Sequence, residues 1–168
     1  MLREMAQNSD ADLNKVDYLG RAPIHVAAGH NGNLEVCKYL TEQSINIDQL
    51  DYSGRSALFM AIVASETEIV HHLQEKGATA IGSESKFAKI LCTVGFEGDL
   101  EKLKLLHKCE VNLELSDYDQ RNIAHLAASE GHVNLLEYLI TETKFDFSLC
   151  DRWGRDAFEE LSHKVSRD

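Results

Sequence analysis

The sequence has little proline and glycine and no long apolar segment. One proline and ten glycines occur among 168 residues. An all-β protein with many tight turns usually needs more of both, so this composition favours helices joined by short connections. No stretch approaches the roughly 20 consecutive apolar residues of a membrane-spanning helix, and the N-terminus lacks the apolar segment of a secretory signal. We therefore expect a helical protein without membrane insertion.

Basic residues are also scarce. The chain has 17 lysines and arginines against 28 acidic residues, which gives a formal net charge of −11. Because nucleic-acid binding draws its affinity from cationic side chains, this excess of negative charge argues against nucleic acid as a partner. The same charge favours a protein partner that has a basic patch.

The four cysteines form no pattern typical of disulfides or metal sites. They lie at residues 37, 92, 109 and 150, far apart and without a CxxC pair. This usage predicts reduced thiols in an intracellular, cytoplasmic environment, with Cys37 and Cys92 buried as small apolar residues. His107 and Cys109 lack the paired spacing of a zinc site, so we expect no metal.

The sequence contains an internal repeat, with similar segments that begin at Asp17, Asp51, Asp117 and Asp151. Their first residues are 34, 66 and 34 positions apart. Since 66 is two periods of 33, a degenerate copy is expected between the second and third segments, and residues 89–106 fit it. Each copy predicts a turn, a short apolar helix, a break, and a longer helix with apolar residues at helical spacing. The predicted breaks are at Gly32, Gly98 and Gly131.

Two segments contain the most specific motif of the repeat. Residues 22–27 read Ala-Pro-Ile-His-Val-Ala, and residues 122–127 keep the His and the following Ala. With the period near 33, these segments resemble the T-P-L-H-x-A motif of ankyrin repeats. The resemblance implies an all-α ankyrin-repeat solenoid of paired antiparallel helices joined by β-hairpin-like loops, in which each pair buries its apolar face against the next.

We predict a single ankyrin-repeat array over residues 1–168. Its divisions are the second half of a repeat at 1–16, repeats at 17–50, 51–83, 84–116 and 117–150, and a partial terminal repeat at 151–168. The segment Gly82–Lys86 is interpreted as the turn of the degenerate third repeat. Because exposed repeat ends normally need polar caps, we expect the chain to be part of a larger polypeptide or complex.

The second half of the chain contains further motifs. They include Gly98-Asp99-Leu100, Glu130-Gly131-His132 and Asp151-Arg152-Trp153. These motifs resemble the C-terminal ankyrin region of glutaminases and L-asparaginase-type amidohydrolases, and similar DRWG segments occur in ankyrin tails of plant potassium channels. The sequence departs from those families at Gln120, where a turn glycine is usual, and at Asp156-Ala157, where Thr-Pro is usual. In such enzymes the chemistry resides upstream, so the resemblance assigns no catalytic residue here.

No motif in the sequence predicts catalysis or cofactor binding. Eight histidines are present, but the chain has no G-x-S-x-G elbow and no G-x-x-x-x-G-K-[ST] loop. The family resemblance implies that His25 and His125 hydrogen-bond the backbone of neighbouring turns. We therefore expect no catalytic, cofactor-binding or metal-binding residue.

Aromatic residues recur at the predicted turns. Tyr18, Tyr52 and Tyr118 each follow the first Asp of a repeat, and Trp153 lies one position further along in the last. Stacked repeats would place these rings in a row, and exposed Tyr and Trp are frequent interface anchors. The alternative is that the rings only pack over neighbouring loops. The residues predicted to contact a partner are Tyr18, Leu19, Tyr52, Ser53, Tyr118, Asp119, Arg152 and Trp153.

The favoured function is a non-catalytic protein-binding or scaffolding module, because a repeat solenoid presents an extended surface without a deep cavity. The first alternative is a regulatory or oligomerising C-terminal tail of an asparaginase- or glutaminase-type amidohydrolase. In that case the full-length polypeptide would be an enzyme although this chain is not. The second alternative is a structural adaptor inside a large complex. Sequence upstream of this chain and the identity of co-purifying proteins would distinguish the three.

Overall fold

The described part of the chain is all-helical, as predicted. The computed structural model describes residues 12–29 and 32–159, and no β-strand occurs among them. The chain divides into an N-terminal unit, Met1–Gly82, and a C-terminal unit, Ser83–Asp168. The helices of the N-terminal unit are α1 (Pro23–Ala28), α2 (Leu34–Thr41), α3 (Ala57–Ala64) and α4 (Thr67–Glu75). Those of the C-terminal unit are α5 (Glu84–Glu97), α6 (Leu100–Lys108), α7 (Ile123–Glu130) and α8 (Val133–Glu142).

The described residues of each unit contain two helix pairs. The members of a pair contact each other, as α1 contacts α2 and α3 contacts α4 in the N-terminal unit, and as α5 contacts α6 and α7 contacts α8 in the C-terminal unit. We call the two members of a pair its first and second helix, in chain order. Within each unit the first helices of the two pairs also contact each other, and so do the second helices. Most of these helices are shorter than the about 12–15 residues that a helix needs to be stable alone in water. Their stability therefore comes from these contacts.

Small side chains allow the first helices of the N-terminal unit to lie close together. Ala27 and Ala28 of α1 and Ala57 and Ala61 of α3 are all buried. Larger apolar residues fill the space behind them, and the largest fully buried ones in this unit are Ile24, Leu58, Phe59, Ile62 and Leu73. The unit thus has an apolar core of its own.

The C-terminal unit is defined by a close approach of α5 and α7. Gly95 of α5 is buried, and a Cβ built on it would lie 2.7 Å from the backbone carbonyl oxygen of Ile123. The largest fully buried apolar side chains of this unit are Leu91, Leu103, Leu106, Ile123, Leu135 and Leu139. Glycine is therefore needed at residue 95, because the neighbouring atom belongs to the backbone of α7.

The start of the third predicted repeat differs from the prediction. The interpretation of Gly82–Lys86 as a turn is wrong for most of this segment, because α5 begins at Glu84 with Ser83 as its N-cap. The helix has 14 residues, compared with six or eight in the other first helices. This repeat has no Asp-x-x-Gly-Arg segment to form a turn, and an acidic residue in the first turn of a helix favours its N-terminus.

Left-handed residues end α3, α5 and α7 where the chain reverses, whereas α1 ends at Gly29 in an extended conformation. Gly98 and Gly131 adopt φ values of 72° and 80° at breaks that the sequence predicted. Ser65 adopts a φ of 61° at the equivalent position after α3, where the sequence has no glycine. The geometry of the break is therefore kept when its usual residue is absent.

The predicted end repeats lie partly outside the described residues, since residues 1–11 and 160–168 are not described. The division at 17–50, 51–83, 84–116 and 117–150 stays a prediction. Within the two described stretches, no helix has both the length and the apolar character needed to cross a membrane.

Candidate protein-binding site

Each loop tip is built on an Asp–Arg pair, where loop tip denotes residues 17–20, 51–54, 117–120 or 151–154. Asp51 Oδ1 accepts the backbone N–H groups of Ser53 and Arg55 at 2.9 and 3.0 Å. Asp51 Oδ2 accepts two N–H groups of the Arg55 side chain, at 2.8 Å from Nε and 2.6 Å from Nη2. The carboxylate therefore closes the turn and fixes the backbone of the tip.

The other loop tips repeat this arrangement. In the first and the last, the Arg side chain donates to the Asp Oδ2 through both Nε and Nη2, as seen for Arg21 and Arg155. The third is looser, because Arg121 Nη2 lies 3.4 Å from Asp117 Oδ2, and its buried Nε has no hydrogen-bond partner among the described residues. This is the tip where Gln120 takes the place of glycine, at a φ of 59°. Sequence reasoning missed the paired Arg, although an Arg stands four residues after each Asp.

The hydrogen bonds lower the pKa of three of these carboxyl groups, and for Asp17 the largest cause is the bond from the Arg21 side chain. Burial alone would raise the pKa of Asp51, but the bonds from the side chain and backbone of Arg55 outweigh it, so this pKa lies below its ordinary value. The pKa of Asp151 is lowered in the same way, since bonds from Arg155 outweigh burial.

Outside the loop tips, the pKa of His72 in α4 is also lowered. Burial is the largest cause, and the positive charges of Lys76 and Lys38 lower this pKa further.

The free energy of unfolding should fall in two ranges as the pH decreases. A lowered pKa in the folded state means that the unfolded chain binds the proton first. The contribution of neutral His72 should decline below about pH 6.5, and those of ionised Asp51 and Asp151 below about pH 4, the ordinary values of these groups. Urea unfolding at a series of pH values tests this with two variants. His72→Gln should flatten the upper range and Asp51→Asn the lower, whereas unchanged slopes in both would contradict it.

Buried histidines of α1 and α7 bond the residue that directly follows the loop tip of the next repeat. His25 Nε2 lies 3.1 Å from the carbonyl oxygen of Arg55, while His25 Nδ1 accepts the N–H of Ala22 at 3.1 Å. His125 Nε2 lies 3.0 Å from the carbonyl oxygen of Arg155. Both histidines are buried. Their predicted structural role, hydrogen bonding to a neighbouring turn, is confirmed.

Cys92 and Phe59 occupy the same helix position in two of the repeats that lack this histidine. Cys92 Sγ donates to the carbonyl oxygen of Arg121 at 3.6 Å, so a thiol replaces the imidazole. Phe59 is followed by a repeat without the Asp–Arg turn, and its ring packs on Gly82, where a built Cβ would lie 2.1 Å from the ring. Ser56 binds this loop instead, because its Oγ donates to the carbonyl oxygen of Thr79 at 2.7 Å.

A backbone hydrogen bond joins the two loop tips within each unit. In the N-terminal unit the N–H of Tyr52 donates to the carbonyl oxygen of Leu19 at 3.0 Å. In the C-terminal unit the N–H of Arg152 donates to the carbonyl oxygen of Asp119 at 2.9 Å. The donor stands one residue after the Asp of its tip, and the acceptor stands two residues after the Asp of the preceding tip. The side chains at these positions are therefore held at a fixed spacing.

The structure gathers the eight predicted contact residues into two clusters. The N-terminal cluster contains Tyr18, Leu19, Tyr52 and Ser53, and the C-terminal cluster contains Tyr118, Asp119, Arg152 and Trp153. The rings are strongly exposed, with 84% of Tyr18, 76% of Tyr52, 91% of Tyr118 and 59% of Trp153 accessible to solvent. Val26 of α1 and Val63 of α3 are further exposed apolar residues in the N-terminal unit.

Arg152 organises the C-terminal cluster. Its guanidinium carbon lies 5.7 Å from the centroid of the Tyr118 ring and 5.4 Å from that of Trp153. Its Nη1 donates to Asp119 Oδ1 at 2.8 Å. The guanidinium carbon of Arg155 lies 5.3 Å from the Trp153 centroid. Two cations therefore lie against one tryptophan, an arrangement that the sequence pattern did not reveal.

The described residues show little that resembles catalytic chemistry. Burial raises the pKa of the Cys37, Cys92 and Cys109 thiols to about 11, so these thiols are protonated at neutral pH. Among residues 12–29 and 32–159, no group of three or more His, Cys, Asp or Glu is placed to bind a metal ion. An open depression of about 240 Å³ lies beside His107 and Lys144, and the OH of Tyr138 already contacts His107 Nδ1 at 2.9 Å.

Comparison with known proteins supports the repeat assignment. Residues 1–83 match the family model for ankyrin repeats in three copies. The structure of the chain is similar to EF0377, an ankyrin repeat protein, with a TM-score of 0.68, 20% identity, and coverage of 99% of this chain and 86% of that one. It is also similar to a chain in the complex of the Bd0816 predatory endopeptidase from Bdellovibrio bacteriovorus with immunity protein Bd3460, with a TM-score of 0.69 and 21% identity over 99% and 86% of the two chains. At these identities the likeness shows the fold.

Three curated relatives are similar in sequence. L-asparaginase of Dirofilaria immitis is 38% identical over 51% of this chain and 14% of its own length. The potassium channel SKOR of Arabidopsis thaliana is 34% identical over 89% of this chain and 18% of its own length. The mitochondrial liver isoform of glutaminase from Rattus norvegicus is 36% identical over 38% of this chain and 11% of its own length. The chain thus matches less than a fifth of each of these relatives.

The helix pairs, the histidine links and these matches define a protein made of ankyrin repeats. Ankyrin repeats are protein-interaction modules, and their fold is typically non-catalytic. Residues 1–83 belong to the ankyrin-repeat family, the chain has the ankyrin-repeat fold, and its second half is similar to the ankyrin regions of the asparaginase and glutaminase type.

Proposed function

We propose that the chain is a non-catalytic module that binds another protein through its loop tips. The proposed contacts are Tyr18, Leu19, Tyr52, Ser53, Tyr118, Asp119, Arg152 and Trp153. The observation on which the proposal rests is that rigid loops hold aromatic rings out in solvent. Exposing large rings is unfavourable unless another surface covers them, and Tyr and Trp are the residues most enriched at the energetic centres of interfaces.

The exposure of the rings argues against the alternative that they only pack over neighbouring loops. Tyr118 is 91% exposed, so it buries very little area against its own chain. Trp153 is less exposed, but its neighbours are the guanidinium groups of Arg152 and Arg155 rather than an apolar core. Intramolecular packing therefore gives these rings little stabilisation.

Simultaneous replacement of Tyr118 and Trp153 by alanine should weaken partner binding by at least about tenfold. Each hot-spot ring contributes more than about 1 kcal/mol to binding, and the two lie in one cluster. Binding is measured by titration against the partner obtained by co-purification, and the thermal midpoint is recorded for each variant. The matched control replaces Val133 and Ile140, which are exposed apolar residues of α8. Lost stability with unchanged binding, or equal losses in the control, would contradict the proposal.

We further propose that the partner presents a basic patch. The net charge of −11 creates a negative long-range field that accelerates encounter with a cationic surface. The association rate should therefore fall at least about tenfold when the salt concentration is raised from about 0.02 to about 0.5 M, with a smaller change in the dissociation rate. Stopped-flow measurement tests this, and an association rate that does not respond to salt would refute the basic partner.

A second candidate function is supported by the curated relatives. The similarity to L-asparaginase of Dirofilaria immitis and to the rat glutaminase favours a regulatory or oligomerising C-terminal tail of an asparaginase- or glutaminase-type amidohydrolase. In that case the whole polypeptide would be an enzyme, and this chain would supply assembly contacts. Assays of the protein purified from its source, for mass and for hydrolysis of asparagine and glutamine, distinguish the two functions.

We also propose a reducing, cytoplasmic location. All four cysteines are free thiols, and burial protects Cys37 and Cys109 from oxidation and pairing. Free thiols in a chain of this size are typical of compartments that keep cysteine reduced.

A further inference from the structure

We propose that the C-terminal cluster, formed by Tyr118, Asp119, Arg152 and Trp153, is a binding site for an arginine side chain of the partner. In the free chain Arg152 occupies this site itself. The proposal rests on the proposed protein-binding function and names the chemical group that the partner inserts at these tips. A cation at residue 152 would by itself repel a basic partner. The proposal explains its presence, because Arg152 fills the site only until the arginine of the partner replaces it.

The geometry shows that the site accepts a guanidinium group. The guanidinium carbon of Arg152 lies less than 6 Å from the ring centroids of both Tyr118 and Trp153. Its Nη1 donates to Asp119 Oδ1 at 2.8 Å. Two aromatic rings and one carboxylate are the groups that bind a planar cation, because the ring faces are negative and the carboxylate accepts its N–H bonds.

The side chain of Arg152 can be displaced from the site by another arginine. The side chains of Arg152 and Asp119 are 47% and 32% exposed, so their ion pair is open to solvent. An exposed ion pair and an exposed cation–π contact are each worth a factor of only about two to five in affinity. The backbone N–H of Arg152 remains bonded to the carbonyl oxygen of Asp119, so the side chain can leave without rearrangement of the tip.

The other cation at Trp153 is held more firmly. Arg155 donates to Asp151 Oδ2 at 3.1 Å from Nε and 2.7 Å from Nη2, and the side chain of Asp151 is fully buried. Displacing Arg155 would leave a buried carboxylate unpaired, which is costly. Arg152 is therefore the cation that yields its place, while Arg155 keeps Trp153 in position.

The N-terminal cluster provides an internal comparison. Tyr52 stands at the position of Arg152, and Leu19 stands at the position of Asp119. The ring of Tyr52 lies against Gly20, where a built Cβ would be 2.4 Å from a ring atom. At these two positions this cluster offers neither a carboxylate nor a cation, so we expect no arginine site there.

The test measures the binding of the pentapeptide Gly-Gly-Arg-Gly-Gly to the unchanged chain and to the Arg152→Ala variant. Both termini of the peptide are blocked, so that arginine is its only charged group. Trp153 is the single tryptophan of the chain, so its fluorescence reports the site directly. The variant should bind the peptide about tenfold more tightly, because no internal cation competes. Adding Asp119→Asn should remove this gain, and peptides with lysine or citrulline in place of arginine should bind the variant more weakly, since both lack the planar charged fork. Replacing Tyr18 in the N-terminal cluster by alanine should change nothing.

An Arg152→Ala variant that binds the peptide no more tightly than the unchanged chain would overturn the proposal. If that variant does not fold, Arg152→Gln decides the question, because it removes the charge and can still donate to Asp119. The two proposals fail separately. The arginine site alone is contradicted if Arg152→Ala does not strengthen peptide binding while partner binding still depends on Tyr118 and Trp153. Partner binding that ignores the Tyr118 and Trp153 substitutions contradicts the proposed function.

Discussion

Gly95→Ala should lower the free energy of unfolding by about 2 kcal/mol, although alanine is the better helix former. Helix propensity alone would favour alanine by up to about 1 kcal/mol. The added Cβ would lie 2.7 Å from the carbonyl oxygen of Ile123 and 3.2 Å from its Cα. Backbone atoms cannot rotate away as the end of a side chain can, so α5 and α7 must separate. Urea unfolding followed by the fluorescence of Trp153, which lies in the same unit, measures the change.

Thr93→Ala is the matched control for Gly95→Ala, because Thr93 is an exposed residue of the same helix. It gains helix propensity without meeting a neighbouring helix and should leave stability equal or slightly higher. A stabilised Gly95→Ala variant would show that propensity outweighs the contact, and it would contradict the close packing of α5 on α7.

Asp51→Ala should lower the free energy of unfolding by about 3 kcal/mol. The substitution removes the acceptor of two backbone N–H groups and two N–H groups of Arg55. The Asp51 side chain is fully buried, whereas 24% of the Arg55 side chain is exposed and can regain water. This partial rehydration places the loss near the lower end of the range for a broken buried ion pair. Thermal and urea unfolding measured by circular dichroism test the value.

Glu68→Gln removes the same charge at an exposed position of α4 and serves as the control for Asp51→Ala. It should change stability by less than about 0.5 kcal/mol. Equal effects of the two substitutions would mean that net charge, rather than the closed turn, determines the loss.

The repeat itself could be predicted because its period and its turn residues are local signals. Gly98 and Gly131 end first helices as expected, and His25 and His125 bond neighbouring turns as the family resemblance implied. The early start of α5 could not be predicted in the same way. It follows from a missing Asp–Arg turn. The replacement of histidine by Phe59 in α3 is explained only by the contact of its ring with Gly82 in the structure.

The candidate site was predictable as a set of residues but not as an arrangement. Each ring lies one or two residues after a turn Asp, which is a sequence pattern, so its exposure could be expected. The interaction of Arg152 with Tyr118, Asp119 and Trp153 depends on side-chain directions across two consecutive tips. Those directions follow from the backbone hydrogen bond between the tips. This bond connects residues 33 positions apart, so no local sequence pattern indicates it.

Amide hydrogen exchange of the chain with and without its co-purified partner tests the central claim most directly. Binding through the loop tips predicts added protection concentrated at residues 17–20, 51–54, 117–120 and 151–154, with little change on α2, α4, α6 and α8. Protection of those second helices with unchanged exchange at the loop tips would contradict it.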